Sequence, residues 1–183
     1  MSKVNLNYLP QYTYEDYENW EGKWELINGI PYAMSPAPGF QHQKISGKIH
    51  IQLDKLLKNC KNCQALIPMD WRIPSSKDNT VLQPDNFILC GIPGEKFITK
   101  TPVLIFEILS PSTAYKDRHL KYEVYETNGV KYYIIVDIEN KSADVFELKN
   151  NKYVKTIEAK NDIVNFILED DCSVKFNFKE IWI

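Results

Sequence analysis

The sequence predicts a single α/β domain spanning residues 1–183, and three kinds of segment support that fold class. Two short runs rich in β-branched and aromatic residues, 81–90 and 101–110, have the composition of neighbouring core strands. Apolar side chains recur with helical periodicity over residues 40–59. The strongly β-prone run at 130–137 precedes two strand-like segments, 142–148 and 152–157, with Asn-rich turns, which predicts an antiparallel meander.

Length and composition are those of a soluble globular protein. A chain of 183 residues fits one domain, and its 25% charged and 44% hydrophobic residues are ordinary values. The formal net charge of −2 gives no global attraction to nucleic acid, so a DNA contact would need a local basic patch. No secretory signal precedes the first element and no run is long enough to span a membrane, so we expect a cytoplasmic protein without a membrane partner.

The four cysteines contain one short-range motif. Cys60 and Cys63 form a C-x-x-C, while Cys90 and Cys172 are isolated in the sequence. A zinc site or a redox pair at this motif lacks the second ligand pair or the surrounding pattern that either function needs. We therefore expect reduced thiols, as in most cytoplasmic proteins.

The first third of the chain predicts a short helix, a hairpin and a long helix. Thr13 and Asp16 have the spacing of a capping box for a helix ending near Trp20. Asn28-Gly29 lies between apolar runs and predicts a hairpin turn, in which Glu25 is either a solvent-facing acid or an auxiliary metal or water ligand. Residues 35–39 predict a loop, 65–67 and 71–73 predict strands, and 75–79 predict a turn.

Residues 40–59 place polar groups beside the apolar stripe of the predicted long helix. Lys44, Lys48 and Lys55 form a polar stripe that is either a solvated face or a set of phosphate contacts. His42, in the first turn, is a candidate site residue, a DNA contact or an exposed helix residue, and the sequence leaves these alternatives open.

Two carboxylates in the central strands carry the main functional hypothesis. Asp85 follows Pro84 at the start of the first strand, and Glu107 lies inside the second strand between Phe106 and Ile108. An ionised carboxylate in a buried strand is costly unless a cation or hydrogen-bond donors meet it. In adjacent strands of suitable register, the two side chains would lie about 5 Å apart, within reach of one hard cation.

The helix predicted after residues 110–113 adds a positively charged side chain, that of Lys121, to the two acids. Asp117, Lys121 and Tyr125 recur every four residues and share one face of an α-helix that ends at Asn128-Gly129. This face predicts a metal-dependent hydrolytic site with the two strand acids. The structural alternative is an ordinary i,i+4 ion pair of Asp117 with Lys121, with Glu107 paired to a core cation. Short strands at 163–168 and 174–178 close the chain.

An ordered set of these motifs over residues 13–150 resembles the Uma-two family of putative restriction endonucleases, a branch of the PD-(D/E)XK nuclease superfamily. The set comprises Glu25 to Gly29, His42 with Ile45, Pro84-Asp85, Glu107 to Thr113, Asp117, Lys121, Tyr125, and Gly129-Val130 with Tyr132-Tyr133 and Asp137.

The resemblance implies a restriction-endonuclease-like core, in which a central mixed β-sheet is flanked by helices, with an N-terminal hairpin and a C-terminal antiparallel meander. It implies Mg²⁺ or Mn²⁺ bound by Asp85, Glu107 and the Ile108 carbonyl, and hydrolysis of phosphodiester bonds in DNA. The superfamily's strand lysine would stand at Leu109, so Lys121 is its expected substitute, held by Asp117.

Two further expectations come with this resemblance. Because cutting both strands usually needs two sites, a homodimer is expected. The alternative function is that of a catalytically inactive nuclease-fold protein that binds DNA or a protein partner.

Overall fold

The computed structural model describes residues 10–34, 39–75, 77–92 and 96–182. Most of the loop predicted at 35–39, and one residue of the turn predicted at 75–79, lie outside these ranges. In chain order, the helices and strands used below are α1 (Tyr14–Tyr17), β1 (Trp24–Ile27), β2 (Ile30–Ala33), α2 (Phe40–Leu56), β3 (Cys63–Leu66), β4 (Trp71–Arg72), β5 (Val81–Leu82), β6 (Asn86–Cys90), β7 (Leu104–Ile108), a π-helical segment (Lys116–Lys121), α3 (Tyr122–Thr127), β8 (Tyr132–Asp137), β9 (Ser142–Lys149), β10 (Lys152–Ala159), β11 (Ile163–Ile167) and β12 (Ser173–Asn177).

The N-terminal part forms a small sheet with strand order β2-β1-β5-β4. The Thr13 hydroxyl and the Asp16 carboxylate make the reciprocal bonds of a capping box at the start of α1. Asn28 and Gly29 have φ of 50° and 80°, which suits a tight turn between β1 and β2. The predicted helix start and hairpin are both confirmed.

A six-stranded mixed sheet forms the centre of the molecule, with order β10-β9-β8-β7-β6-β3. β7 and β8 are parallel, because the π-helical segment and α3 cross over between them, and the other neighbouring pairs are antiparallel. β8, β9 and β10 form the predicted antiparallel meander. β11 and β12 pair separately as a two-stranded sheet.

The first apolar run is divided between the two sheets. β5 pairs with β1 and β4, whereas β6 pairs with β3 and β7. Residues 83–85 separate the two strands, and Pro84 cannot donate a backbone hydrogen bond there. The predicted strand that Asp85 opens corresponds to β6, which is a neighbour of β7 as predicted, and the start of the run forms the separate strand β5. This break places Asp85 at the point where the chain enters the central sheet.

Alternating residues of β7 face two different cores. Leu104, Phe106 and Ile108 pack with α2 and the C-terminal strands. Ile105 faces the opposite core, which contains Trp71, Tyr125 and Tyr133. Because side chains alternate along a strand, Glu107 points to the same side as Ile105, toward α3.

The cysteines differ from expectation. Cys60 is joined to Cys172 and Cys63 to Cys90, so all four cysteines of the sequence are in disulfides. The expected reduced thiols are not observed, because the fold brings together residues separated by 112 and 27 positions in the chain. Proximity of this kind has no local sequence signal.

Across the described ranges, no helix combines the length and the apolar character required to cross a membrane.

Candidate active site

Asp85 and Glu107 lie at the same end of β6 and β7. These strands are antiparallel, with Asn86 opposite Phe106, so the next residues outward are the two acids. The Ile108 amide donates a hydrogen bond to Asp85 Oδ2 at 2.8 Å. This bond holds the Asp85 carboxylate beside the residue that follows Glu107, so the two predicted acids lie at the same end of neighbouring strands.

Lys121 is buried among carboxylates from three elements. Its Nζ lies 2.8 Å from Glu107 Oε1, 2.8 Å from Glu25 Oε1 and 3.9 Å from Asp117 Oδ1. The Lys121 residue is 3% exposed, and Glu25 and Glu107 are 0% and 2% exposed. Glu25 is therefore a core residue of the cluster and not the solvent-facing acid that its strand position equally allowed.

A second lysine enters the cluster because of the π-helix. Lys116 and Lys121 are five residues apart, which is the spacing of hydrogen-bonded residues in a π-helix, and both contact the Glu25 carboxylate. In the α-helix expected from the sequence, the two lysines would lie on different faces. Lys116 was missed for this reason, and no local pattern marks the π-helical turn.

Two tyrosines, one from α3 and one from β8, donate hydrogen bonds to residues of the cluster. Tyr125 Oη donates to Glu107 Oε1 at 2.6 Å, as its position on the predicted helical face allows. Tyr133 Oη donates to the Asp117 backbone carbonyl at 2.8 Å. Both rings are buried, and Tyr125 also stacks on Trp71. The buried aromatic packing therefore orients the polar groups.

The negative charge of the carboxylates in the cluster exceeds the positive charge of Lys116 and Lys121. Burial, followed by the neighbouring acids Asp85 and Asp117, raises the pKa of Glu107 well above its ordinary value in spite of Lys121. Burial also raises the pKa of Asp117. Burial alone would raise the pKa of Glu25 too, but Lys121 and Lys116 outweigh it and lower that pKa. The Glu107 and Glu25 carboxylates raise the pKa of Lys121 against the effect of burial, so its ammonium form is favoured.

His42 approaches Asp85 from the first turn of α2. Its Nε2 lies 3.2 Å from Asp85 Oδ2, three residues before the buried Ile45 on the same helix. Burial lowers the pKa of His42, but the Asp85 carboxylate has the larger combined effect and the pKa is raised. The His42 Nδ1 atom is buried without a hydrogen-bond partner, and the same holds for both side-chain polar atoms of Asn86.

The two lysines predicted to contact phosphate differ in their surroundings. Lys44 is exposed, with its Nζ 5.7 Å from the centre of the Phe40 ring. Lys48 Nζ donates to the Trp182 carbonyl at 2.8 Å, which ties it to the C-terminal segment. Lys44 is therefore the exposed residue of this pair, and Lys48 is partly buried.

The acids of the cluster are oxygen donors, but they do not form a metal site in the structure as it stands. Glu25, Glu107, Asp117 and Asp85 supply four carboxylates, three of which lie around the Lys121 ammonium. Oxygen ligands and an excess of negative charge are what Mg²⁺ and Mn²⁺ require. Within the described ranges, however, no three His, Cys, Asp or Glu side chains are placed to hold an ion together.

Comparison with known proteins first gives the class of fold. A solved structure of a putative nuclease belonging to DUF820 from Anabaena variabilis superposes with a TM-score of 0.73 at 13% sequence identity, covering 93% of this chain and 97% of that chain. The chain thus has the mixed α/β, restriction-endonuclease-like fold that the sequence predicted. No curated protein matches the sequence.

The family follows from the sequence itself. Residues 12–173 match the Uma2 family, described as "Putative restriction endonuclease". The chain belongs to this family, and the resemblance carried by the motifs is confirmed.

Replacing Lys121 by Met tests the electrostatics of the cluster. The variant leaves buried carboxylates without their ammonium partner, so we expect the free energy of unfolding at pH 8 to fall by about 3–5 kcal/mol. In the variant, the pKa of Glu107 in the folded state lies above the unfolded value of about 4.3, because burial and the neighbouring acids raise it even when Lys121 is present, so protonation favours folding. The loss therefore grows as the pH rises through this raised folded-state pKa and shrinks at pH 5. Urea denaturation at both pH values measures it.

The control for this variant is Lys100→Met, which removes the exposed pair with Glu169. This change should cost less than about 1 kcal/mol at either pH. A loss in Lys121→Met that is small, or that is equal at pH 5 and pH 8, contradicts the described cluster.

Proposed function

We propose that this protein is a metal-dependent DNA endonuclease that hydrolyses phosphodiester bonds. The observation that carries the proposal is the cluster at the ends of β6 and β7, in which the buried carboxylates of Glu25, Glu107 and Asp117 lie around Lys121 while Asp85 accepts from the adjacent Ile108 amide. Desolvated groups with strongly shifted pKa values at one point of a fold are typical of catalytic sites. Membership of a family described as putative restriction endonuclease supports DNA as the substrate.

Asp85, Glu107 and the Ile108 carbonyl would hold Mg²⁺ or Mn²⁺. A bound divalent ion lowers the pKa of a coordinated water and neutralises charge on a phosphate oxygen. Asp85 is already oriented by the Ile108 amide, and Glu107 by Tyr125. These bonds limit the rearrangement that the two carboxylates need in order to bind the ion.

The lysines and the remaining acids prepare the attacking water and the scissile phosphate. Lys121 replaces the strand lysine that the superfamily would have at Leu109, and it orients the water or offsets developing negative charge. Lys116 contributes a second positive charge on the same side. Glu25 and Asp117 hold these ammonium groups, and His42 orients Asp85 through its Nε2.

A second candidate function has one specific observation in its favour. Leu109 packs against the core that contains Tyr125, so the strand position of the usual lysine is apolar here. A catalytically inactive nuclease-fold protein that binds DNA or a protein partner would have this feature. The experiments below separate the two functions.

Conservative removal of either strand acid tests the enzymatic proposal. Asp85→Asn and Glu107→Gln keep the side-chain shape but remove the charge that a metal ligand needs, so cleavage of plasmid DNA with Mg²⁺ or Mn²⁺ should fall below detection. The wild type should lose activity in EDTA and regain it on adding the ion. Cleavage that persists in EDTA or survives both substitutions contradicts the proposal. Metal-dependent DNA binding without any cleavage by the wild type supports the inactive alternative.

Replacing Lys116 by Met tests the lysine that the π-helix adds. Loss of one charge-assisted hydrogen bond, worth about 1.5–3 kcal/mol, should reduce the cleavage rate by about 10- to 100-fold. Arg118→Met is the matched control, because Arg118 is on the same helical segment but pairs with Asp144 and Asp137 on the surface. Lys116→Arg should restore part of the rate. Equal cleavage rates in the two Met variants would show that Lys116 has no role in the proposed active site.

The contrast between Lys44 and Lys48 tests the DNA-binding face. Each phosphate contact lowers the slope of log affinity against log salt concentration by about 0.9. We expect Lys44→Met to reduce the magnitude of this slope by about that amount, and Lys48→Met to leave it unchanged because Lys48 bonds the Trp182 carbonyl. Fluorescence anisotropy with duplex DNA and Ca²⁺ in place of Mg²⁺ provides the measurement. The reverse order of effects contradicts the assignment.

A further inference from the structure

The four cysteines lie together at a junction of three parts of the fold. Cys60 lies in the turn after α2, and Cys63 begins β3. Cys90 is the last residue of β6 and stands directly opposite Cys63 in the strand pair. Cys172 lies in the turn between β11 and β12 and is bonded to Cys60. The fold therefore adds two cysteines, from distant parts of the chain, to the short C-x-x-C motif.

We propose that the reduced form of this protein binds one Zn²⁺ through Cys60, Cys63, Cys90 and Cys172. A C-x-x-C turn supplies two thiolates at the spacing found in structural zinc sites, and such sites need a second pair of ligands. In the sequence that pair was missing, and in the structure Cys90 and Cys172 supply it. Four cysteine ligands without an open position define a structural and not a catalytic zinc site.

Burial and backbone contacts support a closed site. Cys63, Cys90 and Cys172 are 7%, 1% and 9% exposed, so a bound ion would be largely shielded from water. The loops that carry the cysteines are linked to each other, since the Gly91 amide donates to the Asn62 carbonyl at 2.6 Å. The turn around Cys172 is closed by the bond from the Cys172 amide to the Glu169 carbonyl, at 3.0 Å. These contacts hold the ligand-bearing turns in place.

The charges next to the cluster are of both signs. Lys61 lies beside it and would offset the net negative charge that four thiolates leave on Zn²⁺. Glu169, Asp170 and Asp171 line the same surface. Glu169 is paired with Lys100 and Asp170 accepts from the Asn62 side chain, so two of these three acids already have partners.

The disulfide form and the zinc form are related by a balanced reaction. Two equivalents of a dithiol reductant supply four electrons and four protons, which break both S–S bonds and give four thiols, while each dithiol closes to its own disulfide. Binding of Zn²⁺ then converts the four thiols to thiolates and releases four protons. In the disulfide form the sulfurs are joined in pairs and do not coordinate an ion.

The zinc site is independent of the proposed nuclease chemistry. It is formed by the far end of β6 and by the turns after α2 and between β11 and β12, while Asp85 and His42 lie at the opposite ends of β6 and α2. The experiment therefore uses the full chain carrying Asp85→Asn and Glu107→Gln, which removes the proposed metal ligands of the other site. Success or failure at one site then says nothing about the other.

The test is metal binding by the fully reduced protein. Without oxygen, the reduced chain should bind one equivalent of Zn²⁺ by mass spectrometry under native conditions, and Co²⁺ should give the thiolate charge-transfer and tetrahedral ligand-field bands of a four-sulfur site. The chain with its disulfides intact should bind neither ion at this place. These measurements use no cysteine variant, so they do not depend on how a cysteine substitution affects folding.

Cys172→Ser tests whether the distant cysteine is a ligand. Loss of an outer-shell partner alone costs about 10–100-fold in affinity, so loss of this thiolate should weaken Zn²⁺ binding by at least about 100-fold. Asp171→Asn is the matched control on the same turn and should bind as the parent does. A reduced chain that binds no stoichiometric Zn²⁺, or a Cys172→Ser variant that binds as tightly as its parent, overturns the proposal.

Discussion

The buried ammonium of Lys121 is the interaction on which the arrangement of the site depends. It joins Glu25 from the N-terminal sheet, Glu107 from the central sheet and Asp117 from its own helical segment. A charged group so far from water is tolerated only when the opposite charge is close and well oriented, and removal of one partner is far more costly than the net gain from the pair. The Lys121 ammonium therefore links the two sheets and the crossover helix, together with the apolar core beside it.

The charges around the Lys121 ammonium are not balanced. One ammonium cannot neutralise three carboxylates, and even with Lys116 the group retains an excess of negative charge. The raised pKa of Glu107 is the direct consequence of burial and of this excess. The uncompensated negative charge is therefore the main electrostatic property of the cluster.

The sequence predicted those site residues whose positions follow from the regular spacing of strands and helices. Asp85 and Glu107 were located by the apolar runs around them, and the Tyr125 bond to Glu107 followed from helical spacing. Lys116 was not predicted, because only a π-helical turn brings it onto the face of Lys121. The break between β5 and β6, and the pairing of the four cysteines, depend on contacts between segments far apart in the chain. Such contacts leave no periodic signal, so local patterns identified the acids but not their whole environment.

The two ends of β6, and likewise the two ends of α2, are held by different kinds of bond. At one end of β6, Asp85 accepts a hydrogen bond from the Ile108 amide and is paired with His42. At the other end, Cys90 is fixed covalently to Cys63. α2 shows the same division, with His42 in its first turn and Cys60 just beyond its last. β6 and α2 therefore each have one covalently cross-linked end and one end at which polar side chains meet through hydrogen bonds.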